Sequence, residues 1–219
     1  MAVLKGAFLS FGAGLLGGLP NLVVFQFNPE SITRSPSLAQ PPPPPDDTGR
    51  TDASEQPNPP PETINFNLKV DASDQLAQKN PIAAASGILP LLSALELLMV
   101  PKSEMAINLV KLVRGNKGPS PYQLSPKKLP TVLFFWGAYR ILPVAISSLT
   151  ITETEYDPLL NPVRADVSVG LQVLIPQQLA GDKLGRGAYR YTQGVKEVMA
   201  ALHQANTAWP GGSSILKLL

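Results

Sequence analysis

Cysteine is absent from the 219-residue chain, which removes disulfides, thiolate nucleophiles, Cys-ligated metals and Cys–His dyads together and leaves the redox compartment open. Histidine is almost absent too. His203 stands alone, so neither a histidine pair for a metal nor a two-histidine relay can form. Charge is also scarce: 18 basic against 16 acidic residues make up 16% of the chain and leave a net +2, where globular proteins average about 25% charged. No global field points to nucleic acid or to an anionic membrane surface. A surface this poor in charge is either covered by Ser, Thr, Asn, Gln and Pro or hidden against other subunits, and the second option favours an assembly.

Uninterrupted hydrophobic runs are missing as well. The apolar stretch 7–25 contains Gly12, Gly14, Gly17, Gly18 and Pro20, with only Lys5 ahead of it, so neither a signal peptide nor a membrane helix is expected there. The run 82–100 holds Pro90 and Glu96 and reads as a buried helix. No direct membrane insertion is expected of either run.

What is present is alternation. Hydrophobic residues make up 44% of the chain, enough for one main core. Residues 3–11 and 22–27 read as two strands joined by a glycine-rich turn, and Asn28-Pro29-Glu30 stops the second. Residues 35–61 carry an unbroken proline run, Pro41 to Pro45, followed by Pro57, Pro59, Pro60 and Pro61; they read as a polyproline-type or disordered surface insertion. Ile64, Phe66, Leu68 and Val70 alternate with Asn65, Asn67, Lys69 and Asp71 as a half-buried strand. Pro81 opens a helix running to about residue 99. Residues 105–113 read as a further strand, and 114–130 as a basic loop.

Three strands follow at 131–136, 139–154 and 163–175. In the last, Ala165, Val167, Val169, Leu171 and Val173 share one face, while Asp166, Ser168, Gly170 and Gln172 share the other. A sheet with one polar face can line a water-filled channel, which makes those four polar-face positions lumen candidates; the alternation groups them without saying which face looks inward. A C-terminal helix over 189–205 places Val195, Val198, Met199 and Leu202 at helical spacing, ahead of an apolar tail at 215–219.

The motifs that suggest chemistry are weaker than their contexts. Gly12-Ala13-Gly14-Leu15-Leu16-Gly17 satisfies G-x-G-x-x-G, but Gly18, Pro20 and a new strand follow where a dinucleotide site needs a helix to begin. Glu153, Glu155 and Asp157 sit at strand spacing, the first two expected on one face, without an identifiable third ligand. Lys102, Lys111, Arg114, Lys117, Lys127 and Lys128 lack the interleaved aromatics of a nucleic-acid platform. No catalytic residue, cofactor or metal is therefore assigned.

Three segments together carry a resemblance: Phe25-Gln26-Phe27-Asn28-Pro29-Glu30-Ser31-Ile32-Thr33-Arg34; Pro130-Thr131-Val132-Leu133-Phe134-Phe135-Trp136-Gly137; and Tyr156-Asp157-Pro158 with Asn161-Pro162-Val163-Arg164-Ala165. In order and spacing they resemble the tube and baseplate-hub proteins of contractile injection systems, the phage-tail-like particles. The resemblance covers residues 3–173. It implies a structural adaptor that forms a six-fold ring between the spike hub and the inner tube. The partners implied are further copies of itself, the spike or hub protein, the inner tube protein and the baseplate wedge proteins, without nucleic acid.

The implied fold is mainly β, with tube-protein-like antiparallel sheets forming a barrel or sandwich, a helix near 81–99 and a C-terminal helix near 189–205. Residues 1–176 form the β domain, and 177–219 a helical extension. Several family members end in a LysM module that docks to the baseplate; no such module is recognised after Pro176, so the extension is expected to dock instead. The motif positions expected to be structural are Phe25, Phe27, Asn28, Pro29, Glu30, Trp136, Gly137, Pro162, Arg164 and Ala165. A ligand-binding β-barrel or sandwich using the glycine-rich loop and Trp136, and a hydrolase using Glu153 and Glu155, are the alternatives.

Overall fold

The structure, a computed structural model, describes residues 3–10, 21–37, 59–99 and 131–207. Seven strands form one antiparallel sheet in the order β2-β1-β5-β6-β7-β4-β3. They are β1 Ala7–Ser10, β2 Asn21–Val24, β3 Ile32–Pro36, β4 Glu62–Asp71, β5 Val132–Phe135, β6 Ile141–Tyr156 and β7 Pro162–Val173. Among the described residues four helices accompany them: α1 Ser73–Ala77, α2 Pro81–Ser86, α3 Leu89–Glu96 and α4 Lys183–Thr207. The mainly β, antiparallel expectation holds. Among the described residues the sheet is neither a closed barrel nor a two-sheet sandwich, because β2 and β3 remain unpaired edges of a single sheet.

That sheet curls around its own core. Phe134 on β5 and Phe66 on β4 are three strands apart, roughly 14 Å in a flat sheet, yet their rings lie 5.5 Å apart. Phe8 on β1, one strand further, still reaches Phe66 at 6.3 Å. Phe25 completes the cluster, edge-on to Phe8 at 5.1 Å. Such curling needs something to hold the approaching ends, and Gln26 supplies it. Its amide donates to the Asp71 carbonyl at 2.6 Å and accepts from the Asp71 N–H at 2.9 Å, so one side chain acts as a strand partner where β4 ends.

The expected helix over 81–99 is two helices. Asn80 caps α2 by accepting from the N–H groups of Ile82 and Ala83, with Pro81 in the first turn. Gly87 then ends it at φ +56°, a left-handed conformation that favours glycine. A Cβ there would also collide with the Pro162 carbonyl oxygen, which accepts from Ile88 N at 2.9 Å. Pro90 falls in the first turn of α3, where its missing N–H costs nothing. Leu92 and Leu95 bury against the aromatic cluster.

β3 and α1 had no counterpart in the sequence pattern, and α4 begins at Lys183 rather than 189. The expected strand at 105–113, the basic loop, the glycine-rich motif, most of the proline insertion and the tail at 215–219 lie outside the described residues.

Candidate functional site: a neutral polar sheet face and its charged end

Strict alternation on β4 and β7 sends Ile64, Phe66, Leu68, Val70, Ala165, Val167, Val169, Leu171 and Val173 into the core and the intervening residues outward. The register then builds the outer face row by row. Thr33, Asn65, Gly170 and Ser148 lie opposite one another across four strands; Asn67, Ser168 and Thr150 form the next row; Ser35, Thr63 and Gln172 lie on the other side. Every one of these except Gly170 is exposed. Ser168 donates to Asn67 Oδ1 at 2.8 Å across the strands.

Gly170 differs from its companions Asp166, Ser168 and Gln172. A bulge at Ser147 leans Ser147 and Ser148 over it, and a Cβ at Gly170 would meet both hydroxyls and Asn65 Oδ1. It is the covered floor of the face rather than a contact position.

Charge gathers where β4 ends and β7 begins. Lys69 lies opposite Asp166 and pairs with Glu30 at 3.0 Å, which raises the lysine above its ordinary value through the hydrogen bond first and the Coulomb attraction second. Arg164 bridges Asp71, at 2.8 Å, and Glu155. Asp71 is held below the usual carboxylate range, chiefly by hydrogen bonds from Ser73 and then by Arg164. Beyond this end the β6–β7 hairpin turns through Asp157, which accepts from Leu159 N, Asn161 N and Asn161 Nδ2, each at 2.8 Å. These bonds, the Asn161 side chain first, hold the Asp157 carboxyl low.

Opposite that end, Glu62 is buried, with 8% of its side chain exposed. Arg34 Nε and Nη2 both reach Glu62 Oε1 at 2.5 Å, and Lys196 of α4 reaches Oε2 at 3.3 Å. One carboxylate thus ties β3, β4 and α4 together. Arg140 lies nearby and is pulled down by its own burial, then by the Arg34 charge, against the opposing pull of Glu62.

The motif residues pin this architecture. Phe25 and Ala165 are core. Asn28 accepts from Gly6 N and donates to the Leu4 carbonyl, both at 2.9 Å, fastening the chain ahead of β1. Phe27 is 48% exposed, and Pro29 is half-buried beside it. Glu30 and Arg164 make the ion pairs just described. Trp136 stacks on Phe134 at 6.2 Å, and its indole leaves no room for a Cβ at Gly6. Gly137 turns at φ +76°. Pro162 is buried and supplies the carbonyl that meets Ile88 N.

The carboxylates expected on one face are not. A bulge between Glu153 and Glu155 sets Glu153 opposite core-facing Ala165 and Glu155 opposite outward Arg164, and Glu155 is occupied by that arginine. Glu153 instead accepts from the Tyr156 hydroxyl, raising that phenol. His203 is exposed on α4. Among the described residues no three His, Asp or Glu side chains come close enough to hold a metal ion.

A crevice between Val23–Phe27, Leu68–Val70, Leu91 and Leu95 offers about 10 Å³, one water's worth, where ligand pockets measure roughly 300–1,000 Å³. No helix among the described residues is long and apolar enough to cross a membrane. Sequence reasoning had singled out only the β7 part of the polar face. Thr33, Ser35, Asn65, Asn67, Ser148 and Thr150 join it through register, and the alternation of β4 was the readable signal for the two asparagines.

No model of a known protein family matches the chain, and the curated proteins contain no match to it.

Proposed function

We propose that this chain is a non-enzymatic structural adaptor of a contractile injection particle, forming a ring layer between the spike hub and the inner tube. The observation that carries the reading is the outer face of β3, β4, β7 and β6, a broad exposed surface of Ser, Thr, Asn and Gln with its charges confined to one end. A wall of short neutral polar side chains stays hydrated without holding a charged or apolar passenger, which suits the lining of a conduit. Among the described residues the alternate positions of β4 and β7 are buried in the core, which leaves the polar positions between them at the surface.

The three-segment resemblance supplies the particle, the hub and tube neighbours and the six-fold count; the polar face supplies the task within it. Motif residues such as Asn28, Trp136 and Arg164 then act by fixing the curl and the hairpin. The test is deletion of the gene in the producing cell, followed by imaging of particles. Sheaths or baseplates without an assembled tube are expected. Intact, loaded particles would overturn the proposal.

A further inference from the structure

The end of the sheet that meets α4 carries more positive charge than it balances. Arg34 of β3, Arg140 just ahead of β6 and Lys196 of α4 all bear on Glu62, so three cations meet one carboxylate. Contacts independent of those charges hold the three in place. Thr192 accepts from Ile141 N and donates to the Ile141 carbonyl, which seats α4 beside the residue that follows Arg140. Lys196 stands one turn further along the same helix face. The Arg140 carbonyl accepts from Trp136 N at 2.9 Å, and the β3–β4 register sets Arg34 opposite Ile64.

Glu62 does not exhaust the donors around it. Arg34 directs Nε and Nη2 at one carboxylate oxygen, and Lys196 directs one of its three N–H groups at the other. Arg140 is half-buried, yet among the described residues its guanidinium makes no hydrogen bond or ion pair. Burial first and the Arg34 charge second work against its positive form, and Glu62 offsets them only in part. No other carboxylate helps. Glu30, Asp71 and Glu155 pair with Lys69 and Arg164 at the far end of the sheet. Glu197 follows Lys196 but is exposed on the next flank of the helix and is not among the charges acting on Arg140.

We propose that Arg34, Arg140 and Lys196 form a binding site for a small oxyanion of two negative charges, phosphate being the type, held by the Arg140 fork and by the remaining donors of Arg34 and Lys196. Two charges are needed because three cations against one carboxylate leave two unbalanced. Guanidinium forks suit the oxygens of such an anion. Donors that come from a strand, a turn and a helix fit a tetrahedral oxyanion better than a flat carboxylate. Bound there, the anion fastens α4 to β3 and β6. The inference stands apart from the ring proposed above and survives or fails without it.

Calorimetric titration of the full-length chain with inorganic phosphate tests it, at slightly alkaline pH and constant ionic strength in chloride. One saturable site per chain is expected. In urea the unfolding constant should fall about elevenfold at ten times the dissociation constant. Phosphate also stabilises proteins generally by exclusion from their surface, but that effect does not saturate. Arg140→Gln leaves the Glu62 pairs intact and should weaken the saturable binding about tenfold or more, with unchanged far-ultraviolet circular dichroism. Arg190→Gln removes the same charge from an exposed position on α4 and should bind as the wild type does. Arg140→Lys keeps the charge without the fork, is expected to bind more weakly than wild type, and carries the comparison if the glutamine variant does not fold. A wild type without saturable binding, undiminished binding in the Arg140 variants, or an equal loss in Arg190→Gln would overturn the site. Acetate bound as tightly as phosphate would overturn its assignment to a dianion.

Discussion

Replacing Glu62 by glutamine keeps the volume of the side chain and removes its charge. Each carboxylate oxygen is engaged by a different cation, Oε1 by Arg34 at 2.5 Å and Oε2 by Lys196 at 3.3 Å. An amide has one acceptor oxygen, so its NH2 must face either the guanidinium or the ammonium, with the Arg140 charge close by. Breaking a fully buried pair costs about 3–5 kcal/mol. Arg34 and Lys196 are 31% and 40% exposed and can partly rehydrate, which lowers the expected loss to about 2–3 kcal/mol. At roughly 2–4 °C per kcal/mol for a chain of this length, Tm should fall by about 4–12 °C. Urea unfolding gives the free energy directly. Adding Lys196→Met to Glu62→Gln should recover about 1 kcal/mol, because one donor-to-donor clash disappears. A Glu62→Gln protein within about 0.5 kcal/mol of wild type, or no recovery in the double variant, would refute the view that Glu62 ties α4 to the sheet.

Gly87→Ala should cost about 3 kcal/mol or more in urea unfolding, since it combines a left-handed backbone with a collision against a backbone oxygen; no loss, or the gain of about 0.4–1 kcal/mol that Gly→Ala gives at an unstrained position, would contradict that geometry. Thr192→Val removes two hydrogen bonds to Ile141 at a position 1% exposed and should cost about 1–3 kcal/mol. Amide exchange in α4 should speed up with it. Strong acid should loosen the hairpin tip. Asp157, like Asp71 and Asp182, has a folded-state pKa below the ordinary 3.8. The stabilisation from such groups is present above that value and is lost as pH falls through the depressed one. Exchange at Leu159 and Asn161, followed downward from about pH 6 after correction for intrinsic rates, should keep its protection through the ordinary carboxylate range and lose it only at lower pH; protection already lost at the ordinary carboxylate pKa would contradict the assignment.

The strands were legible where one face is dry. Residues 162–173 and 62–71 alternate without interruption, and the structure departs from the sequence reading there by two residues at most. β3 was hidden because Ile32–Pro36 contains one apolar residue ahead of a proline and is held by its register with β4 and the Arg34–Glu62 pair, both long-range. The α2–α3 break depends on the Pro162 carbonyl 75 residues away, which no local pattern around Gly87 contains. Periodicity did find the Val195, Val198 and Leu202 stripe of α4, but the helix buries Tyr189 and Thr192 instead. A hydrophobic stripe identifies a shared face, and only tertiary structure says whether that face meets its own core. Glu153 and Glu155 fail for a related reason: alternation assumes an unbroken ladder, and the bulge between them shifts the count by one.

The central claim is that the Ser, Thr and Asn face of the curled sheet lines the bore of a ring. Because the chain has no cysteine, Ser168→Cys introduces a single thiol in the middle of that face, and a small thiol-reactive gold cluster marks it in electron micrographs of the purified assembly. The account predicts a closed ring with the gold inside its channel. Gold on the outer wall, or a thiol that cannot be labelled because another protein covers the face, would contradict it.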